Sequence, residues 1–176
     1  MNAASKIRSL REEARKQDLI VLVWGPGDPG ASAPAESRKF WVKRGQIRDA
    51  VQKNFPAAEV VFSESDSLRD HTRDLEDLLT EELLHAAIAD CILVLDVSRG
   101  AHVEVDRFTT KPTLAAKIRV LIPDKWVGSK GLIGSVHQDT RVRGFSEDEF
   151  ELCSLATEKC VTIVLSFAIR KMMNKM

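Results

Sequence analysis

Two short stretches of this chain are apolar at every position: Leu-Ile-Val-Leu-Val-Trp at 19–24 and Cys-Ile-Leu-Val-Leu at 91–95. A strand with one solvated face alternates apolar and polar residues. A strand without alternation is covered on both faces, which a parallel sheet between two helical layers provides. The intervening sequence fits that demand. Phe40, Ile47 and Val51 mark an amphipathic helix over 37–55 that stops before Pro56, and Val60, Val61 and Phe62 form a second strand. Leu75, Leu78, Leu79, Leu83 and Ala86 recur at helical spacing over 74–89, and Asp90 ends that helix. Residues 101–108 read as helical, 118–122 as a fourth strand, and Val142 as part of a short fifth strand before Gly144. Ser146 and Glu149 make a capping box that opens a last helix running to about residue 171. Strands alternating with helices predict a three-layer α/β fold, a flavodoxin-like or Rossmann-like parallel sheet with helices on both faces. A length of 176 residues suits one domain over 1–176, with an amino-terminal helix at 1–17 and a long carboxyl-terminal helix at 146–171.

Charge and composition narrow the functions this fold can serve. Lys plus Arg total 26 and Asp plus Glu total 26, so there is no global positive field to hold duplex nucleic acid. The first 16 residues read as a charged amphipathic helix, with Ile7, Leu10 and Ala14 on one face, rather than as a secretory leader. The longest apolar run, 161–169, is broken by Thr162 and Ser166 and is about half the length that spans a bilayer. No membrane association is expected. Cys91, Cys153 and Cys160 lie far apart in apolar surroundings, which predicts buried reduced thiols, no metal site and a cytoplasmic location.

Ligand sites in such folds lie outside the carboxyl ends of the strands, which selects three loops: 25–36, 63–73 and 96–104. The first spells Gly25-Pro-Gly-Asp-Pro-Gly30, a G-x-G-x-x-G pattern. Pro26 and Pro29 remove two amides that a phosphate cradle would use, so a dinucleotide site with Glu64 as ribose acceptor is the weaker reading. The third loop carries more chemistry. In Asp96-Val-Ser98-Arg99-Gly100-Ala-His102-Val-Glu104, a strand ends in a carboxylate, Gly100 permits a tight turn, and Glu104 falls in the opening turns of a helix. Helix amides and Arg99 or His102 would keep Glu104 ionised, ready to attack or stabilise an electron-poor sugar carbon.

The segment Ile-Ala-Asp-Cys-Ile-Leu-Val-Leu-Asp at 88–96, followed by Gly-Ala-His-Val-Glu at 100–104, resembles the nucleoside 2-deoxyribosyltransferase family and its N-glycosidase relatives. More distantly it is similar to Toll/interleukin-1 receptor (TIR) domains that cleave NAD. The resemblance spans about 19–122 and includes the Gly25-Pro26 turn after the first strand. It implies an enzyme that cleaves or transfers at an N-glycosidic bond of a nucleoside, nucleotide or NAD, with Glu104 as the catalytic carboxylate. It also implies that Asp96 or Ser98 contacts sugar or base and that Gly25 and Pro26 shape the pocket. Arg99 and Gly100 complete the loop, and Trp24 is a candidate for stacking on a base. The chain departs from the family in having no Tyr and in placing Arg99 where small or acidic residues are commoner. No cofactor is expected, NAD entering only as a substrate. Lys39 and Lys43, at i, i+4 spacing after the first loop, are candidates for gripping a phosphate. The alternative is a catalytically silent nucleotide-sensing or protein-interaction module on the same fold. The apolar surface of the last helix exceeds one sheet-facing stripe, which predicts a homodimer through that helix, with the amino-terminal helix as the rival cover.

Overall fold

The computed structural model describes residues 2–75, 77–95, 105–123, 142–145 and 155–175. Five strands, β1 (Ile20–Trp24), β2 (Glu59–Val61), β3 (Cys91–Leu95), β4 (Ile118–Pro123) and β5 (Val142–Phe145), form one sheet in the order β2-β1-β3-β4-β5. Every neighbouring pair is parallel. This is the doubly wound, flavodoxin-like order, in which the direction of winding reverses between β1 and β3.

The helices are α1 (Ala3–Ala14), α2 (Ala35–Asn54), α3 (Asp66–Arg69), α4 (Leu78–Ile88), α5 (105–109), α6 (Pro112–Ala115) and α7 (Leu155–Met173). Alternate residues of the apolar strands feed two separate cores. Val21, Val23, Cys91, Leu93 and Leu95 pack with Ala14, Ile47, Val51, Phe55, Cys160, Val164 and Ala168, so α1, α2 and α7 cover one face. Leu22, Trp24, Ile92 and Val94 pack with Ala86, Val105, Phe108 and Leu114 on the other. The absence of alternation in β1 and β3 has this cause: both faces of each strand are interior.

Polar ties hold the layers in register. Asp90 accepts from the Ile20 amide at 3.0 Å and from the Lys171 ammonium at 2.8 Å, pinning α7 to the amino-terminal edge of the sheet. The Asp of the Ala-Asp pair before β3 is thereby spent at the end of the sheet opposite the loops that follow β1 and β2. Arg15 donates to the Asn54 side chain at 2.7 Å and lies over the Phe55 ring, joining the ends of α1 and α2.

Several elements differ from the sequence reading. The helix expected over 74–89 begins at Leu78, because Asp77 accepts from the Thr80 amide and hydroxyl, both at 2.8 Å, and so caps the helix there. Leu75 instead closes a turn on Thr72, and Leu78, expected in the core stripe, is 63% exposed. The short helices α3 and α6 were not foreseen; Ser65, at the head of α3, accepts from the Phe62 amide at 3.0 Å and so fixes the turn after β2. In α1 only Ala14 is buried, while Ile7 and Leu10 are exposed. The Ser146–Glu149 capping box lies outside the described residues. No helix among the described residues is long and apolar enough to cross a membrane.

Candidate functional site

The strand β1 ends in Gly25, whose φ of +155° is one that side-chain-bearing residues rarely adopt. A Cβ at this position would sit 3.1 Å from the Leu95 Cβ and 3.5 Å from the Arg44 Cδ. Glycine is therefore required on two counts, backbone angle and close approach. The approach also has a topological consequence: the end of β1 rests directly on the end of β3, at the point where the winding of the sheet reverses. Asp96 follows Leu95 in the chain.

Beneath this turn lies a buried guanidinium. Arg44, on α2 and 1% exposed, donates from Nε and Nη2 to the Val23 carbonyl at 3.0 and 2.7 Å. It donates from Nη1 to the Pro26 carbonyl at 3.4 Å and grips Glu64 with both terminal nitrogens, Nη2 to Oε2 at 2.8 Å. Its plane lies 4.1 Å from the centroid of Phe62. One side chain thus ties α2, the turn after β1 and the turn after β2. Removing water from a charge is costly unless its donors are satisfied, and here they are, by carbonyls and a carboxylate in fork geometry. Glu64 therefore reaches the cleft as an ion-paired carboxylate, each of its oxygens accepting from Arg44.

Beside the Arg44–Glu64 pair opens a cleft of about 380 Å³ between the ends of β1 and β2 and the helices α3 and α4. Gly25, Gly27 and Asp28 line it from the first loop, Ser63 and Glu64 from the second, Arg69 from α3, and Leu78, Glu81, Glu82 and His85 from α4. The α4 residues follow i, i+3, i+4, i+7 spacing and so share one helix face. His85 is 2% exposed, its ring set against the Leu68 backbone behind the cleft wall. Burial pushes its imidazole below the ordinary histidine range, against the opposing pull of the Glu81 carboxylate. The Thr72 hydroxyl donates to Glu81 at 2.9 Å, which orients that carboxylate.

Of the residues singled out in the sequence, Gly25 lines this cleft, and the Pro26 carbonyl is fixed beside it by Arg44. Trp24 is fully buried in the second core, its ring centroid 5.1 Å from that of Phe108, and it does not line the cleft. Lys43 is 5% exposed, on the α2 face directed toward Cys160 of α7, and Lys39 lies 5.1 Å from the Phe40 ring centroid. Neither lines the cleft. Asp96, Ser98, Arg99, Gly100 and Glu104 lie outside the described residues. Arg44 and His85 were missed by the sequence reading. Arg44 was submerged in the basic run Arg38, Lys39, Lys43, Arg44, and His85 had one available signal, its spacing from Leu78, Glu81 and Glu82.

Among the described residues no group of three His, Cys, Asp or Glu converges to hold a metal ion. Cys91 and Cys160 are free and buried, and burial pushes the Cys160 thiol up to about 12 and the Cys91 thiol higher still, so neither serves as a nucleophile. Compared with known proteins, the chain matches no family model and no curated protein sequence.

Proposed function

We propose that this chain binds a nucleoside or nucleotide at the carboxyl end of its sheet and cleaves or transfers at the N-glycosidic bond, with Glu104 as the catalytic carboxylate. The observation that carries this reading is the seating of Gly25 on Leu95. It joins the cleft-lining turn after β1 to the strand end from which the Asp96–Glu104 loop departs, at the reversal point of a flavodoxin-like sheet. The resemblance of 88–104 to the deoxyribosyltransferases supplies the roles. The Glu104 carboxylate attacks the anomeric carbon, the base leaves with the bonding pair and takes up a proton, and water or a second base then displaces the carboxylate. Asp96 or Ser98 contacts sugar or base, with Arg99 and Gly100 shaping the loop around them.

The buried free thiols Cys91 and Cys160 support a reducing, cytoplasmic setting for this chemistry. The breadth of apolar surface on α7 supports assembly as a homodimer.

Incubating the protein with NAD, deoxynucleosides, ribonucleosides and their monophosphates, and reading free base by chromatography, tests the reading. Base release is expected from wild type, and Glu104→Gln is expected to lower it by about three orders of magnitude or more while the fold persists. Asp106→Asn is the control and should be mild. Release at near-normal rate by Glu104→Gln would overturn the assignment of Glu104, and no release from any substrate would favour a sensing module.

A further inference from the structure

The helix α1 is amphipathic, yet the fold covers little of it. Asn2 accepts from the Ser5 amide at 2.9 Å and so starts the helix. Ala3, Ile7, Leu10 and Ala14 then recur at helical spacing and form one apolar stripe. Only the last of them is spent on the domain. Ala14 is buried in the first core, whereas every residue from Ala3 to Glu13 is exposed, Ile7 at 58% and Leu10 at 47%. The helix is seated by its final turn, where Arg15 holds Asn54. Lys6 borders the stripe beside Leu10, and Arg11 borders it beside Ile7, with Arg8 and Arg15 beyond; Ser5, Ser9 and Glu12 take the opposite pole. The three arginines share a shallow groove with Ala4, Ile7 and Glu12. With Lys6 and Lys16, the segment carries five cations against Glu12 and Glu13, and Glu13 is already paired with Lys16 at 3.0 Å. Acidic and basic residues are equal in number over the whole chain, so the rest of the molecule holds the matching negative excess. Part of it is the cleft wall, with Asp28, Glu81 and Glu82.

Exposed aliphatic side chains bordered on both sides by long cations are complementary to an anionic bilayer. The aliphatic groups enter between the headgroups, while lysine and arginine stems lie along the acyl boundary and set their charges at the lipid phosphates. A second copy of α1 would instead oppose one net-positive helix to another. We propose that α1 is an interfacial helix, laying Ile7 and Leu10 into the headgroup region of an anionic membrane with Lys6, Arg8 and Arg11 on the lipid charges. Lying on a bilayer requires no spanning run, so the lack of a spanning helix among the described residues does not oppose it. The place of α1 in the fold suits the role. It leads into the start of β1 on the α2 and α7 side of the sheet, whereas the cleft opens at the carboxyl ends of β1 and β2 beside α4, on the other side. A molecule lying on α1 holds its acidic cleft away from the negative surface. The proposal stands apart from the glycosidic reading and departs from the sequence-based expectation of no membrane association.

Flotation of the full chain with vesicles of phosphatidylcholine alone, or of phosphatidylcholine with about 30% phosphatidylserine, is the test. At roughly 0.1 M NaCl, affinity for the phosphatidylserine vesicles is expected to exceed that for phosphatidylcholine by about tenfold or more, and to fall by a similar factor at roughly 0.5 M NaCl. Arg8→Ala with Arg11→Ala, and separately Ile7→Ser with Leu10→Ser, are each expected to weaken binding about tenfold or more. All four side chains are exposed, and thermal unfolding verifies that both double variants fold. In the unmutated protein, hydrogen exchange of the α1 amides is expected to slow on phosphatidylserine vesicles. Equal binding to the two kinds of vesicle, binding to neither, unchanged affinity in either folded double variant, or α1 amides that exchange no more slowly on the vesicle would each overturn the proposal. Polyglutamate bound as tightly as the vesicles at equal charge concentration would also overturn it, assigning α1 to an acidic protein.

Discussion

Arg44 and His85 are polar side chains held in the interior, and each answers to its burial in a different way. Arg44 is charged, buried and satisfied: two backbone carbonyls and Glu64 take its donors. Lysine would keep the charge but present one point donor where a planar fork is needed. Arg44→Lys is therefore expected to cost about 2–3 kcal/mol, read as a lowered urea midpoint, because it strands the Val23 carbonyl and loosens Glu64. His85 is buried and holds its proton less readily for it. Its folded pKa lies below the unfolded value of 6.5, so the unfolded chain takes up a proton that the folded chain refuses. Stability is complete above that value and declines as pH falls from it toward the folded pKa. His85→Leu removes the titration. It should lose less stability than wild type on acidification from pH near 7.5 to pH near 5.5, as urea unfolding at the two pH values would register. A variant with the acid loss intact would contradict this account.

At the scale of elements, α4 shows how a cap outranks periodicity. The leucines at 75, 78, 79 and 83 invite a helix from residue 74, yet the Asp77–Thr80 pair starts it at Leu78. Leu78, Glu81 and Glu82 line the cleft from the opening turns of the helix so started. The Thr80 hydroxyl and amide hold the Asp77 carboxyl below the usual carboxylate range. Because its pKa is depressed on folding, the cap contributes stability above the unfolded value of 3.8 and loses it as pH falls through the folded pKa. Asp77→Ala should lower Tm at neutral pH, Asp77→Asn should retain most of the cap, and the difference between wild type and Asp77→Ala should vanish in strong acid. A Tm unchanged in Asp77→Ala would mean that packing alone sets where α4 begins.

For the whole molecule, α7 is the element on which the proposed self-association rests. Its inward residues Cys160, Val164, Leu165, Ala168 and Met172 complete the first core, and the guanidinium carbons of Arg119 and Arg170 lie 4.7 and 4.3 Å from the Phe167 centroid. Val161, Ile163 and Ile169 remain only half-buried, and α1 leaves its own Ile7 and Leu10 exposed instead of spending them as a cover. Light scattering across a gel-filtration peak at roughly 50 μM protein is expected to give twice the mass of one chain, and Phe167→Glu with Ile169→Glu to halve it. A monomeric wild type at that concentration would refute self-association, and a dimer that survives both substitutions would place its interface elsewhere.

What the amino-acid sequence determined by itself is the part of this protein governed by local periodicity. The uninterrupted apolar runs at 19–24 and 91–95 require strands covered on both faces, and the alternation with amphipathic helices requires a parallel, three-layer sheet, because neither pattern can be solvated any other way. The turn at Gly25-Pro26 was legible for the same reason, as a break no strand tolerates. Tertiary structure alone decided the rest. The strand order β2-β1-β3-β4-β5 brings residues 25, 64 and 85 to one cleft, and no spacing along the chain encodes that meeting. It turned Arg44 from a member of a basic run into a buried clasp, and it buried Lys43 as well. It closed the second core over the Trp24 ring and set His85 in the wall of the cleft. Each of these outcomes depends on which charges and rings lose their water together, and desolvation is set by neighbours in space, not by neighbours in sequence.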